Sequence, residues 1–326
     1  MESMRRRVLT ALPTALLLCL GADARAQAYP VKPLRLIVAD AAGGAPDQLG
    51  RALAAKLSES LGQQVVVDNR PGASGALGAD IAARSPADGY TLLLTTTSIY
   101  AILPSLKRNL TYDPVRDFVP ISRIASASNV LVINASLPVQ SVAELVALAK
   151  SKPGVLNYAS AGVGSPAHLA GEMLNLLAGI KLTHVPYKGA APALLDVIAG
   201  SAQLIITSPI SAGAHMKAGR VRALAVTGSA RNPSLPELPT IAETVPGYEI
   251  SQSWGIVAPA GTPAPVLKRL NDEILAVMNL PEVREQVART GAVPAGDSAE
   301  AFQAFMAKER QRLQDVITKT GIVLAD

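Results

Sequence analysis

The chain of 326 residues has a single cysteine, three histidines and few rings, with three Phe, one Trp and seven Tyr. The scarcity of rings argues against a base-stacking groove or an aromatic sugar platform. Cys19 follows Leu18 inside an N-terminal apolar run, where lipid attachment would call for a small residue. It is expected to be lost with that run, so the mature chain has no disulfide, no thiolate nucleophile and no Cys-ligated metal. His168, His184 and His215 lack the i, i+4 spacing of a zinc helix. No Gly-x-Gly-x-x-Gly, no Gly-x-x-x-x-Gly-Lys-Ser/Thr and no Gly-x-Ser-x-Gly is present, so no nucleotide cofactor and no nucleophile elbow is expected. Charge is sparse at 17% against 49% apolar residues, which favours a sizeable buried core over disorder. Lys and Arg number 30 against 25 Asp and Glu, but Arg5, Arg6, Arg7 and Arg25 lie at the extreme N-terminus. No basic cluster remains beyond it to neutralise phosphates, so nucleic acid is not an expected partner.

What is there begins with an export signal. Arg5-Arg6-Arg7 precedes the apolar run Val8 to Leu20, followed by Ala24-Arg25-Ala26 and Ala26-Gln27-Ala28 as alternative cleavage patterns. Residues 1–26 are read as the signal, with maturation at Gln27 or Tyr29. The run is shorter than the roughly 18–20 apolar residues a spanning helix needs. The next longest, Thr91 to Leu103, is broken by Thr95, Thr96, Thr97 and Ser98. The mature protein is therefore expected outside the cytoplasmic membrane, in the periplasm.

Beyond the signal one pattern recurs. Leu34–Val38 ends in Ala41-Ala42-Gly43-Gly44, and Pro46 opens a helix through Leu49, Leu53, Leu57 and Leu61. Val65-Val66-Val67 leads through Gly72-Ala73-Ser74-Gly75 into an alanine-rich helix, and Tyr90–Leu94 reads as another strand. Ser141 and Glu144 form a capping-box pattern. Leu156–Ser160 passes through Gly162-Val163-Gly164-Ser165 into a helix. Leu182–Val185 leads into Lys188-Gly189-Ala190, Leu204–Thr207 into Ser208-Pro209, and Ala223–Thr227 closes the series. Such alternation predicts α/β units with parallel pairing. Two extended crossings, Ile121–Ile133 and Glu249–Val257, suggest a chain that leaves one domain, builds a second and returns. The alternative is one continuous sheet of ten or more strands. Helices are expected after Thr262-Pro263, Leu280-Pro281 and Ser298, the last presenting Phe302, Phe305, Leu313 and Val316 on one face before Gly321.

In open α/β sheets the ligand crevice lies beyond the carboxyl ends of the strands, where these glycine loops fall. Small residues at helix starts let the backbone approach a ligand, and free N–H groups with the helix dipole favour an anion. Each loop taken singly is also consistent with a tight turn alone. Asp47 either contacts ligand or caps its own helix. Lys188 either pairs with an anion or points into water, and Trp254 is read as a packing residue at a domain junction. Ser165 and His168 carry the rival reading of a periplasmic hydrolase, with His168 otherwise a capping or packing residue.

The segments Asp68-Asn69-Arg70-Pro71-Gly72-Ala73, Pro86-Ala87-Asp88-Gly89-Tyr90, Leu156-Asn157-Tyr158-Ala159-Ser160, His168-Leu169-Ala170-Gly171-Glu172, His184-Val185-Pro186-Tyr187-Lys188-Gly189 and Leu238-Pro239-Thr240-Ile241 resemble the Bug family, the substrate-binding receptors of tripartite tricarboxylate transporters. The likeness runs over essentially the whole mature chain. It implies a two-lobed, type II periplasmic-binding-protein-like fold with a mostly parallel sheet in each lobe. Residues 27–126 plus 252–326 would form one lobe and 127–251 the other, hinged at Ala125–Asn129 and Glu249–Trp254. It also implies a non-enzymatic, monomeric receptor that needs no cofactor, takes a small carboxylate and hands it to membrane components of the transporter. Presentation of the liganded form to a sensor protein is an alternative. Carried over by position, the ligand would meet Ala42, Gly43, Gly44, Ala45, Asp47 and Ser74 in one lobe. In the other it would meet Ser160, Ala161, Gly162, Gly164, Ser165, Lys188, Gly189, Thr207 and Ser208. One loop departs from the family pattern: Ala39-Asp40-Ala41-Ala42 stands where an apolar or aromatic residue flanked by prolines is common. If Asp40 points inward it would repel a second ligand carboxylate, favouring a monocarboxylate or a ligand with an amine or amide.

Overall fold

The computed structural model describes residues 29–106 and 109–320; the segment read as an export signal, with Cys19, and Gly321 lie outside the described residues. In chain order come β1 (Leu34–Val38), α1 (Ala45–Leu61), β2 (Val65–Asn69), a 3-10 turn (Ala73–Gly75), α2 (Ala76–Ala83) and β3 (Thr91–Thr96). A π-helical turn (Ser98–Ile102) runs into α3 (Leu103–Leu106), followed by β4 (Phe118–Ser128), β5 (Val130–Asn134) and α4 (Val142–Ser151). Then follow β6 (Asn157–Ser160), α5 (Pro166–Ala178), β7 (Thr183–Pro186), α6 (Ala190–Ala199), β8 (Leu204–Thr207), α7 (Pro209–Lys217) and β9 (Val221–Val226). The chain closes with β10 (Ser251–Pro259), α8 (Ala264–Met278), α9 (Pro281–Arg289), β11 (Val293–Pro294) and α10 (Ala299–Thr320).

The strands form two sheets, ordered β11-β4-β10-β3-β1-β2 and β7-β6-β8-β5-β9. The two-sheet α/β architecture agrees with expectation, but the pairing within it is mixed rather than mostly parallel. Pairs β1–β2, β1–β3, β6–β7 and β6–β8 are parallel, as βαβ connections demand. Pairs β10–β3, β10–β4, β11–β4, β5–β8 and β5–β9 are antiparallel. The strands that join the two sheets cause this: the chain departs along β4 and returns along β10, so the two run side by side in opposite directions, Ser251 opposite Ser128.

Local signals held where hydrogen bonds could satisfy them locally. Pro46, Pro166, Pro209 and Pro281 all sit in the first turn of a helix, where an N–H is unpaired in any case. Ser141 Oγ accepts from Glu144 N at 3.2 Å, but the Glu144 carboxylate reaches back to Gln140 N, one residue short of the reciprocal pairing expected. A full capping box stands instead at Thr240 and Glu243. The hydroxyl-rich stretch after Thr95 ends β3 and turns into the buried π-helical turn, an element the sequence reading did not separate from the apolar run. Helix α10 returns to the first sheet, with Phe302 and Leu313 fully buried and Phe302 lying over Gly255, where an added Cβ would come within 2.3 Å of its ring. Among the described residues no helix is long and apolar enough to cross a membrane.

Candidate functional site

The two sheets face each other across a cavity of about 70 Å³. One buried water needs roughly 10–15 Å³ on the same measure, so the space accommodates several waters or a small organic molecule. Four helices begin at its wall: α1 through Ala45 and Pro46, α5 through Ser165 and Pro166, α6 through Gly189 and Ala190, and α7 through Ser208. Their first-turn N–H groups and dipoles give the cavity a positive potential suited to an anion. Ser165 and Ser208 each cap their helix by accepting a backbone hydrogen bond, from His168 N and Ile210 N. Each hydroxyl keeps its proton free to donate.

Of the expected contact residues, Ala45 and Ser74 line the cavity from the first sheet's side, and Ala161, Ser165, Lys188, Gly189, Thr207 and Ser208 from the second's. Ala42, Gly43, Gly44, Asp47, Ser160, Gly162 and Gly164 stand behind that wall. Asp47 is buried and fully engaged: it accepts from Gly43 N at 2.9 Å, Asn69 Nδ2 at 3.0 Å and Arg51 Nε at 2.9 Å. Burial raises its carboxyl pKa, but the bonds from Arg51, Gly43 and Asn69 outweigh that and hold it below the usual range. It is a clasp for the Gly43-Gly44 turn. Ser160 Oγ binds Gly162 N and His184 Nε2. Gly162 and Gly164 serve the contact between the two halves: Ser74 Oγ donates to Val163 O at 2.5 Å, and Ser98 Oγ donates to Gly164 O at 2.8 Å. Gly162 has φ +120°, and a Cβ there would lie 3.0 Å from Ser74 Oγ. Ala73 and Ser74 hold left-handed backbone, with φ of 48° and 56°, at the facing edge.

Behind the Gly162–Ser165 loop, His168 and His184 stack with ring centroids 3.9 Å apart, and Tyr158 stacks on His184 at 4.9 Å. Burial pushes the His168 imidazole down to about 3, helped by the neighbouring His184, and pushes His184 down to about 4. His168 Nδ1 accepts from Gly164 N at 3.1 Å, which requires a neutral ring with its proton on Nε2. Nε2 faces Glu172 at 4.0 Å. The only contact from Ser165 Oγ to His168 is with its backbone N. The imidazole thus bonds the loop backbone and not Ser165 Oγ, so in this structure the two side chains do not form a nucleophile–base hydrogen bond.

Several cavity residues escaped the sequence reading. Asn129 and Gln252, from the two strands joining the sheets, both line the wall, and Gln252 Nε2 donates to Asn129 Oδ1. Asn129 Nδ2 then has no protein partner though the residue is 1% exposed, and Ser211 Oγ is likewise without one at 8%. Thr96, Ser98 and Trp254 complete this side; Trp254 is a buried packing residue, as read, and also borders the cavity. Asp40 lines the cavity as well. Its carboxylate accepts from Ala41 N at 2.7 Å and lies against the start of α6 in the opposite half, where a Cβ on Gly189 would come within 2.5 Å of Oδ1. Burial pushes its carboxyl up to about 6, aided by Asp47 and opposed by the backbone N–H groups of Ala41 and Ala190. Among the described residues no cluster of His, Cys, Asp or Glu is placed to hold a metal ion.

Residues 49–322 match the model of the tripartite tricarboxylate transporter family receptor. Protein BugT of Bordetella pertussis is 37% identical over 307 residues, spanning 94% of both chains. Among solved structures, R. palustris Rpa4515 with adipate superposes with a TM-score of 0.88 at 39% identity, covering 90% of this chain and 99% of that one. The periplasmic binding protein BugD does so at 0.87 and 33%, covering 90% and 99%. A cavity walled by helix starts between two sheets is thus accompanied by similarity along nearly the full length, and the chain belongs to the tripartite tricarboxylate transporter receptor family.

Proposed function

We propose that this chain is an extracytoplasmic solute receptor that captures a small carboxylate between its two halves and delivers it to the membrane components of a tripartite tricarboxylate-type transporter. The observation that carries this is the pair of buried, unpartnered groups, Asn129 Nδ2 and Ser211 Oγ, on a cavity surrounded by four helix N-termini. A buried donor without a partner costs about 1–3 kcal/mol, and a ligand oxygen removes that cost. Rpa4515, with adipate, supports a carboxylate. The work is binding rather than chemistry, performed in the periplasm by a monomer. Opening occurs at Ala125–Asn129, where β4 passes toward β5, and at Glu249–Trp254, the approach to β10 and its first residues. Residues 27–126 with 252–326 move as one lobe against 127–251, and Ser74, Ser98 and Asp40 make the contacts that closure forms.

A thermal-shift screen with small carboxylates, amino acids, amides and sugars tests this reading. A carboxylate at 100 times its Kd should add about 2.7 kcal/mol of stability. Trp254 is the only tryptophan and lies on the cavity, so the same compound should change the intrinsic fluorescence saturably. A shift with a sugar or nucleotide and none with any carboxylate would sink the assignment.

A further inference from the structure

Two acids flank the start of α1, and only one is neutralised. Asp47 is tied to Arg51, Asn69 and Gly43 N. Asp40 has no Lys, Arg or His within 4.0 Å of its carboxylate among the described residues. The hydrogen bond it accepts from Ala41 N uses about one of its roughly four acceptor positions. The carboxylate sits in a slot cut by glycines of both halves: a Cβ on Gly44 would lie 2.9 Å from Oδ2, and one on Gly189 2.5 Å from Oδ1. Lys188, also on the cavity, is exposed and makes no ion pair with it.

The charge around the cavity limits what it can take. Four helix N-termini contribute about +0.5 each, or about +2 together. Asp40, already seated on the start of α6, removes about one of those units, while the charge of the exposed Lys188 is weakened by solvent screening, so the inner wall favours one further carboxylate over two. A second ligand carboxylate near Asp40 meets like charge in a partly desolvated site. An ammonium there supplies the counter-charge that Asp40 lacks. Away from Asp40 the demand is reversed. Asn129 Oδ1 accepts from Gln252 while its buried Nδ2 is left as an unused donor, and Ser165 and Ser208 offer hydroxyl protons. Those groups call for ligand oxygens.

We infer that Asp40 is the specificity-determining residue of the cleft, selecting a small zwitterion whose ammonium group meets Asp40 and whose carboxylate meets Asn129, Ser211 and the capping hydroxyls. This rests on the carboxylate-receptor reading and narrows it: dicarboxylates are disfavoured in this chain by its own acid.

The test uses the exported full-length protein, titrated by calorimetry and Trp254 fluorescence at pH 8, where Asp40 is ionised. Three matched series of two to six carbons serve as probes: unsubstituted alkanoates, α,ω-dicarboxylates and ω-amino acids from glycine to 6-aminohexanoate. The best ω-amino acid should bind at least ten-fold more tightly than the dicarboxylate and the alkanoate of equal length. Asp40→Asn keeps an acceptor for Ala41 N and Ala190 N but removes the charge, and should shrink that ratio at least ten-fold. Asp40→Ser, checked with Asp40→Asn for native melting, provides the same comparison should the amide disturb folding. Dicarboxylates binding as tightly as amino acids to the wild type, or a ratio unchanged in both variants, would overturn the inference while leaving the receptor reading intact. Binding by none of the three series, with a clear response to a non-carboxylate, would overturn both.

Discussion

Replacing Gly189 with alanine is expected to weaken ligand binding at least ten-fold while lowering stability by only about 1–3 kcal/mol. Two separable effects underlie this. Gly189 has φ +146° and ψ 168°, a conformation nearly confined to glycine, and that strain is present whether the cleft is open or shut. The added Cβ also meets Asp40 Oδ1 at 2.5 Å, Ala41 Cβ at 2.7 Å and Ala41 N at 3.1 Å, all from the opposite half of the molecule. Those contacts oppose closure alone, and about 1.4 kcal/mol of opposition is a factor of ten in affinity. Gly200, at the other end of α6, is the control. Its φ is +87°, but a Cβ there has only Asn134 Nδ2 nearby, at 3.7 Å. Gly200→Ala should therefore destabilise without loss of affinity. Calorimetric titration and thermal melting of both variants check the pair, and Gly189→Ala binding as tightly as wild type would remove Gly189 from the closing contact.

Stability should fall steeply as pH drops below 6.5. His168 and His184 have folded-state pKa values pushed down to about 3 and about 4, chiefly by burial. Between those values and the ordinary imidazole value of about 6.5, the unfolded chain binds protons that the folded protein refuses. Their contribution is complete above pH 6.5 and lost progressively below it, by up to about 1.4 kcal/mol per pH unit for each ring. At pH 5 that amounts to at most about 2 kcal/mol for the buried His168 and less for the partly exposed His184. Asp40 acts in the opposite sense: its raised pKa, about 6, makes protonation favour the folded form as pH falls from there toward 3.8. One partly exposed carboxylate does not offset two stacked imidazoles, so a drop of several degrees in melting temperature between pH 7 and pH 5 is expected. His184→Gln, which keeps a polar partner for Ser160 Oγ, should flatten the dependence. Ligand affinity should hold across the same window, because folded His168, with its pKa pushed down to about 3, stays neutral and keeps accepting from Gly164 N on the cavity loop. A melting temperature constant from pH 7 to pH 5 would contradict the assignment of neutral rings.

Helix starts and strand–loop–helix order were legible in the sequence because their causes are local. Prolines occupy first turns, glycines end strands, and Ser165 and Ser208 bond N–H groups within three residues of themselves. Asp47 left two readings open: its spacing is the same for a ligand contact and a clasp, and the choice depends on Asn69, a strand away. Asn129 and Gln252 fell within the expected hinges but carried no sign of a cavity role. They lie 123 residues apart and meet only because β4 and β10 pair in one register. The mixed pairing of the sheets has the same origin. Direction is a property of where two distant strands meet, and nothing within either strand encodes it.

By itself the sequence determined the alternation of small apolar strands with glycine-led helices and the family resemblance. It also placed an acid, Asp40, beside the first double glycine. Only the tertiary structure decided that this acid faces the cavity and reaches across to the start of α6, that Asn129 Nδ2 and Ser211 Oγ are left without partners beside it, and that His168 holds a loop. Composition and local hydrogen bonding act over a few residues and can be read from the chain. The orientation of one carboxylate between two halves depends on contacts between segments some 150 residues apart, which exist only once both sheets have folded and met.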